Sequence, residues 1–258
     1  VAFTSARFAA MGFNRIVDRH YDARNPRTAR RELPAGTLSL RAAALSVAAA
    51  AAIFVWSAWQ INPLCGWLSL PALFWVLFYS YTKRFTRWSH VVLGISLAIA
   101  PVGGYLAIAG RWGSPWWMLL ALALAVATWV AGFDILYALQ DRTFDLEQGL
   151  HSIPVALGVA GAIRASRLLH VVTVVALAAV GVALPAGPVY VAGVVVVAAL
   201  LWYEHRLVVP TDLSRLDAAF FTMNGVISIV FFLFVLAERI WRHWSGTVPF
   251  AGHASLSP

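Results

Sequence analysis

Asn14, Asp18 and Asp22 stand at i, i+4 and i+8 in the segment FNRIVDRHYDARN. On a helix this spacing stacks one amide and two carboxylates along a single face, about 6 Å of rise apart. Such an all-oxygen array suits Mg²⁺, which takes one or two carboxylates together with the phosphates of a substrate. The same pattern also serves as a solvated helix end, with Arg15 and Arg19 beside it. A second segment, GFDILYALQDRTFD, repeats the carboxylate spacing at Asp141 and Asp145. Asp134 lies two turns deeper on the same face, with Tyr137 between. A carboxylate at the centre of a membrane span costs roughly 2.5–3.5 kcal/mol on insertion scales. Asp134 is therefore expected to face a polar cavity or an arginine partner. Brought together, Asp18, Asp22, Asp141 and Asp145 would crowd four negative charges into one place. Cations must neutralise them, and two Mg²⁺ ions would then recruit a polyanion, most naturally a diphosphate.

Cations follow each array. Arg27 and Arg31 lie in NPRTARRELPAG and Lys83 in YSYTKRF. An arginine fork suits phosphate bidentately and a lysine acts as a point charge. Residues that merely obey a loop-charge rule would look the same, and Arg24, Arg30, Arg84 and Arg87 need no other explanation. Arg7 stands two turns before Asn14 on the same face. An arginine inside an apolar helix has a function by default: here either the carboxylate of an aromatic acid or internal pairing with Asp134. Asn224 is expected to bond between helices. His20, His90, His151 and His205 have no metal-ligand spacing and are read as loop and interface residues. GVAGAIR near 158–164 reads as the small-residue start of a helix. Cys65, the single cysteine, excludes an intrachain disulfide.

The elements that must hold these groups are set by composition. Of 258 residues, 61% are apolar and 12% charged, against about 25% charged in an average soluble domain. That is too little charge for a water-exposed globular surface. The mean hydropathy of +0.77 leaves an all-α, polytopic transmembrane bundle. Seven spans are expected near 39–59, 64–82, 90–109, 115–139, 168–184, 188–204 and 216–238. Residues 1–13 form a shorter apolar helix, and the chain starts at Val1, so an upstream portion that includes the start of this helix is expected. The chain reads as one domain over 1–258. The net charge of +8 is explained by cytoplasmic loops rather than by nucleic acid. Basic residues gather in the first, third, fifth and seventh connections, which places both motifs on the cytoplasmic side and the C-terminus outside. Trp56, Trp59, Trp67, Trp112, Trp116 and Trp117 suit interfacial belts. The two long connections, roughly 23–38 and 142–167, adjoin the two aspartate arrays, as functional loops do.

These residues resemble a known family. NRIVDRHYDARNPRTARRELPAG is similar to the first signature of the UbiA superfamily of intramembrane prenyltransferases, NxxxDxxxD followed by RTxxRxLPxG. DILYALQDRTFDLEQGLHSIP is similar to the second, DxxYAxxDxxxDxxxGxxSxP. The order and separation agree, and the resemblance covers essentially the whole chain. It is closest to the branch that prenylates 4-hydroxybenzoate and related aromatic acids in quinone biosynthesis, with subgroups that use a dihydroxynaphthoate in a futalosine-type menaquinone route nearly level. The family usually has nine spans, of which about eight are represented here. Ser80 follows Tyr79 where the aromatic-acid branch often has Tyr-Pro.

The resemblance implies Mg²⁺ and catalytic roles at Asp18, Asp22, Asp141 and Asp145, with Asn14 as a further ligand. It implies diphosphate contacts at Arg27, Arg31 and Lys83, and a place for Tyr137 in the site. Arg7, Asn14 and Asp134 become the expected aromatic-substrate residues. The implied reaction is ionisation of an allylic diphosphate followed by electrophilic aromatic substitution, with Asp141 one candidate for the base. The partners are then a polyprenyl diphosphate, a small aromatic acid and the bilayer, with no nucleic acid and no obligate protein partner. The implied location is a bacterial inner membrane, with the site facing the cytoplasm. A transporter of divalent cations or organic anions would also use intramembrane aspartates and an arginine. Against it, the aspartate pairs sit at helix ends beside long basic loops.

Overall fold

The computed structural model describes residues 1–213 and 215–245. Among them the regular secondary structure is helical, apart from one isolated bridge between Val209 and Asp212. In order the helices are α1 (Ala2–Arg24), α2 (Leu40–Ile61), α3 (Pro63–Thr82), α4 (Ser89–Ala109), α5 (Trp117–Tyr137), α6 (Arg142–Glu147), α7 (Ile153–Ala183), α8 (Pro188–Leu207) and α9 (Asn224–Trp244). Seven helical runs are long and apolar enough to cross a membrane: α2, α3, α4, α5 continued through α6, α7, α8, and 220–244. The spans expected from hydropathy are therefore present, and α1 extends well beyond residues 1–13.

Local chemistry explains where the helices begin and end. Ser39, Asn62 and Ser152 cap α2, α3 and α7, each side chain accepting from a first-turn amide. Pro63, Pro154 and Pro188 occupy first-turn positions, where no N–H is missed. Gly110 closes α4 with φ 64°. GVAGAIR is the start of the second of two helical runs that α7 joins across a kink. Gly158 takes φ 68°, ψ 178° and kinks α7, a conformation open to glycine and strained for other residues.

Lipid offers little apolar driving force between helices, so close packing and polar contacts hold the bundle together. Large apolar side chains such as Trp202, Phe232 and Val175 point outward. Between α5 and α7, Thr128 and Thr173 share a hydrogen bond of 2.8 Å, and Ser166 Oγ donates to the Gly132 carbonyl at 2.8 Å. Between the start of α8 and α9, Glu238 accepts from the Gly187 and Tyr190 amides. Asn224, expected between helices, instead donates back to the Phe220 carbonyl at 2.7 Å. It lies where the π-helical turn at Ala218–Met223 passes into α9, and that wider turn exposes a carbonyl to it.

α4 and α5 meet at Gly94, where an added Cβ would fall 2.1 Å from the Ala127 carbonyl oxygen. Backbone cannot yield as a flexible side chain can. Gly94→Ala should therefore cost about 1–3 kcal/mol, as overpacking does, read as a lower thermal midpoint in detergent. An unchanged midpoint would show that the two helices are less tightly joined than they stand here.

Candidate active site

Both aspartate arrays open on one cavity of about 190 Å³. Asn14, Asp18, Tyr21 and Asp22 of α1 line it with Tyr79 and Ser80 of α3. The 25–39 connection contributes Asn25, Arg27, Thr28 and Arg31, and the segment after α3 contributes Lys83 and Arg84. His90 of α4 and Asp134, Tyr137, Asp141 and Asp145 complete the set. Helix ends thus bring together residues more than 100 positions apart.

The second array is not one continuous helix face. α5 ends at Tyr137, a 3₁₀ turn covers Ala138–Asp141, and α6 carries Asp145. The tighter turn changes the direction of the chain. Asp145 becomes almost fully buried, at 1% exposure, while Asp141 faces the first motif. Asn25 Nδ2 donates to Asp141 Oδ1 at 3.1 Å. Arg27 grips both Asp141 oxygens, with Nε at 3.1 Å and Nη2 at 2.5 Å, and its Nη1 donates to Tyr137 Oη at 3.2 Å. Arg24 bonds Gln148 at 3.0 Å, a further tie between the loops.

Each carboxylate of the two arrays has a cation. Arg31 Nη1 donates to both Asp22 oxygens at 2.9 and 3.0 Å. Lys83 Nζ donates to Asp145 Oδ2 at 3.3 Å. Arg84 reaches Asp18 Oδ1 at 3.5 Å and donates to the Val17 carbonyl at 2.8 Å, with its guanidinium over the rings of Tyr21 and Tyr81. Asn14 donates to Asp18 Oδ2 at 2.8 Å. The three cations singled out for a diphosphate, Arg27, Arg31 and Lys83, are each bonded to a carboxylate singled out for a metal.

The donor set suits a hard divalent cation: carboxylate and amide oxygens from both arrays share one cavity. Among the described residues no three acidic, histidine or cysteine side chains converge into a cage of their own. A divalent ion at this cavity would need oxygens from outside the chain to complete its coordination. Asn14, Asp18, Asp22, Asp141 and Asp145 are the residues that would hold it.

Some polar residues at the cavity carry no sequence signal that marks them for it, Arg84, His90, Asn25 and Thr28 among them. Arg84 looked like one more loop arginine. His90 was read as a loop or interface residue, yet it is fully buried and 2.7 Å from Asp134. Asn25 and Thr28 fix the loop, the latter donating to the Asp22 carbonyl at 3.0 Å. Only the Asn-Pro and RT pattern near residues 25–28 hinted at a built turn. Arg7 is the opposite case. It shares a stripe with Asn14 but lies about 10 Å further along α1, where it is exposed and outside the cavity lining. Asp134 pairs with His90 and not with Arg7.

Burial pushes the Asp18 carboxyl above the usual carboxylate range; Arg84 opposes the rise and the Asp22 charge adds to it. A carboxyl whose folded-state pKa is raised binds its proton more tightly when folded. Stability is then greatest below the unfolded value and falls as pH climbs through the folded one. With divalent ions chelated, Asp18→Asn should melt higher than the native chain at neutral pH and lose that slope. Parallel thermal melts across the acidic to neutral range check this, and identical slopes would contradict it.

The UbiA prenyltransferase family matches residues 1–244. A 4-hydroxybenzoate octaprenyltransferase of Aromatoleum aromaticum is 33% identical over 230 residues, covering 89% of this chain and 77% of that protein. A protein of the same name from Methylobacillus flagellatus is 31% identical, with 92% and 78% covered. The apo structure of a UbiA homolog from Aeropyrum pernix K1 superposes with a TM-score of 0.83 at 33% identity, over 92% of this chain and 87% of that one. A digeranylgeranylglyceryl phosphate synthase structure, at 17% identity and TM-score 0.67 over 89% and 80%, shares the fold.

Proposed function

The chain belongs to the UbiA prenyltransferase family, and from that premise we propose that it joins a polyprenyl group from an allylic diphosphate to the ring of a 4-hydroxybenzoate-type aromatic acid in quinone biosynthesis. It is an integral membrane enzyme. In this reading the cavity faces the cytoplasm of a bacterial inner membrane and takes both substrates there. The observation that carries it is the pairing of Arg27 with Asp141, Arg31 with Asp22 and Lys83 with Asp145 around one cavity. Such a set balances its own charge and can exchange partners. Mg²⁺, held by Asn14 and the four aspartates, would neutralise the charge that develops on the departing diphosphate. Arg27, Arg31 and Lys83 then turn from carboxylate to phosphate oxygens, and the two arginines give forked contacts. Tyr137, stacked on Phe220 at 4.0 Å between ring centres, and Phe144 shield the allylic carbon from water.

Binding of an unreactive allylic diphosphate analogue to the detergent-solubilised chain tests the reading. Binding should require Mg²⁺ and weaken at least tenfold in Arg31→Ala. Metal-independent binding, or none, would contradict it, and a carrier of metal ions alone would need no diphosphate.

A further inference from the structure

A second cavity, of about 390 Å³, lies beside the candidate active site and shares none of its lining residues. The α3–α4 connection, 85–88, forms one wall, and the start of α7 with the two residues before it forms the other. Three spans end here: α3 stops at Thr82, α4 starts at Ser89 and α7 starts at Ile153. That is the depth of lipid headgroups. The His151 amide donates to the Lys83 carbonyl at 2.7 Å and so joins the walls of the two cavities. Their chemistry differs. In the first, each array carboxylate meets a cation; in the second, no lining residue is acidic. Arg87 is exposed, lies with its guanidinium 5.4 Å from the Trp88 ring centre, and pairs with no carboxylate among the described residues. Thr86 Oγ1 accepts from the Trp88 amide at 3.3 Å and Ser152 Oγ from the Val155 amide at 3.3 Å, which leaves each O–H to donate.

We infer that this cavity binds the headgroup of an anionic phospholipid, with Arg87 on its phosphate. Three physical arguments support this. A site rich in donors and without a carboxylate favours an anion, and an arginine fork matches two phosphate oxygens. A zwitterionic headgroup would bring an ammonium that finds no carboxylate here. A lipid also suits the rest of the lining better than free phosphate does. Val155 and Ala156 add apolar surface, and Phe85 and Trp88 stand exposed at the rim, where aromatic rings sit at headgroup level. Basic pockets between the ends of spans take such headgroups.

The test is retention of lipid by the full chain in detergent, read by native mass spectrometry with phosphatidylglycerol and phosphatidylcholine of matched acyl chains. The native chain should bind the first phosphatidylglycerol about tenfold more tightly than phosphatidylcholine. Arg87→Gln should lose about tenfold on phosphatidylglycerol, as for a hydrogen bond to a charged group. Arg206→Gln is the control: that arginine lies over Trp202 at the end of α8, outside the cavity, and its loss should change little. Ala156→Phe fills the cavity without touching charge and should weaken binding as well; it carries the test alone if Arg87→Gln does not fold. Glycerol phosphate in excess, at matched ionic strength, should not displace the lipid. Equal affinity for the two lipids, equal losses in Arg87→Gln and Arg206→Gln, or full binding in Ala156→Phe would overturn the inference. Displacement by glycerol phosphate would overturn the lipid as the ligand.

Discussion

Asp141→Ala should lower turnover by about 10²–10³-fold, the loss typical of removing one preorganised electrostatic partner from a water-excluded site. Asp141 is the hub between the two motifs. It accepts from Asn25 and from two nitrogens of Arg27, and it is a proposed metal ligand. Alanine removes that proposed ligand and, among the described residues, leaves the Arg27 side chain with Tyr137 Oη as its hydrogen-bond partner. The deficit should therefore appear in kcat and in the Mg²⁺ concentration needed for half activity. Asp141→Asn separates the two effects, because the amide oxygen still accepts from Arg27 while the charge is gone. Steady-state assays over a Mg²⁺ series measure this; activity within threefold of native in both variants would remove Asp141 from the chemistry.

Lys83→Met should destabilise the chain, and the effect should be relieved by a second change. Asp145 is almost completely buried, and Lys83 is the cation 3.3 Å from it. Removing one partner leaves an uncompensated charge in a poorly solvated place. The cost reaches about 3 kcal/mol, at the low end because Lys83 is itself a third exposed. Lys83→Met/Asp145→Asn should recover most of the lost thermal stability, since the isosteric amide needs no counter-charge. It should not recover activity, because the proposed diphosphate contact and the proposed metal ligand are both absent. A double variant no more stable than Lys83→Met alone would mean that the pair does not couple. Full activity in Lys83→Met would mean that the lysine serves only the fold.

Much of this arrangement was legible in the sequence, for specific reasons. The spans stood out because lipid requires about 20 consecutive apolar residues for a crossing helix, and α2, α3, α4 and α8 fall within a few residues of the hydropathy reading. Asp18 and Asp22 stood out because a four-residue interval has one meaning on a helix. Asp141 and Asp145 share the interval but straddle a 3₁₀ turn, and periodicity alone cannot announce where a helix tightens. The limits of spacing are clearest at Arg7. Position on a stripe fixes the angle around α1, but which depth of that stripe meets the cavity depends on what packs beside it. His90 and Arg84 were hidden for another reason. Each is one of several residues of its type near a loop, and only the docking of α4 on α5, and of the end of α3 on α1, brings them to Asp134 and Asp18. The small residues at 158–164 mark the start of a helical run, but spacing does not show that Gly158 joins it to the preceding turn through a left-handed φ.

In the proposed reaction, one cavity built from both motifs transfers a prenyl group to an aromatic ring. The most direct test is a product assay on membranes holding the full-length protein, supplied with Mg²⁺ and a polyprenyl diphosphate. 4-Hydroxybenzoate and a dihydroxynaphthoate would be offered in parallel as acceptors. The account predicts a C-prenylated aromatic acid from 4-hydroxybenzoate, absent without Mg²⁺ and nearly absent with Asp141→Ala. Product only from the dihydroxynaphthoate would keep the chemistry and change the acceptor. No prenylated product from either, with folded protein in the membrane, would contradict the account.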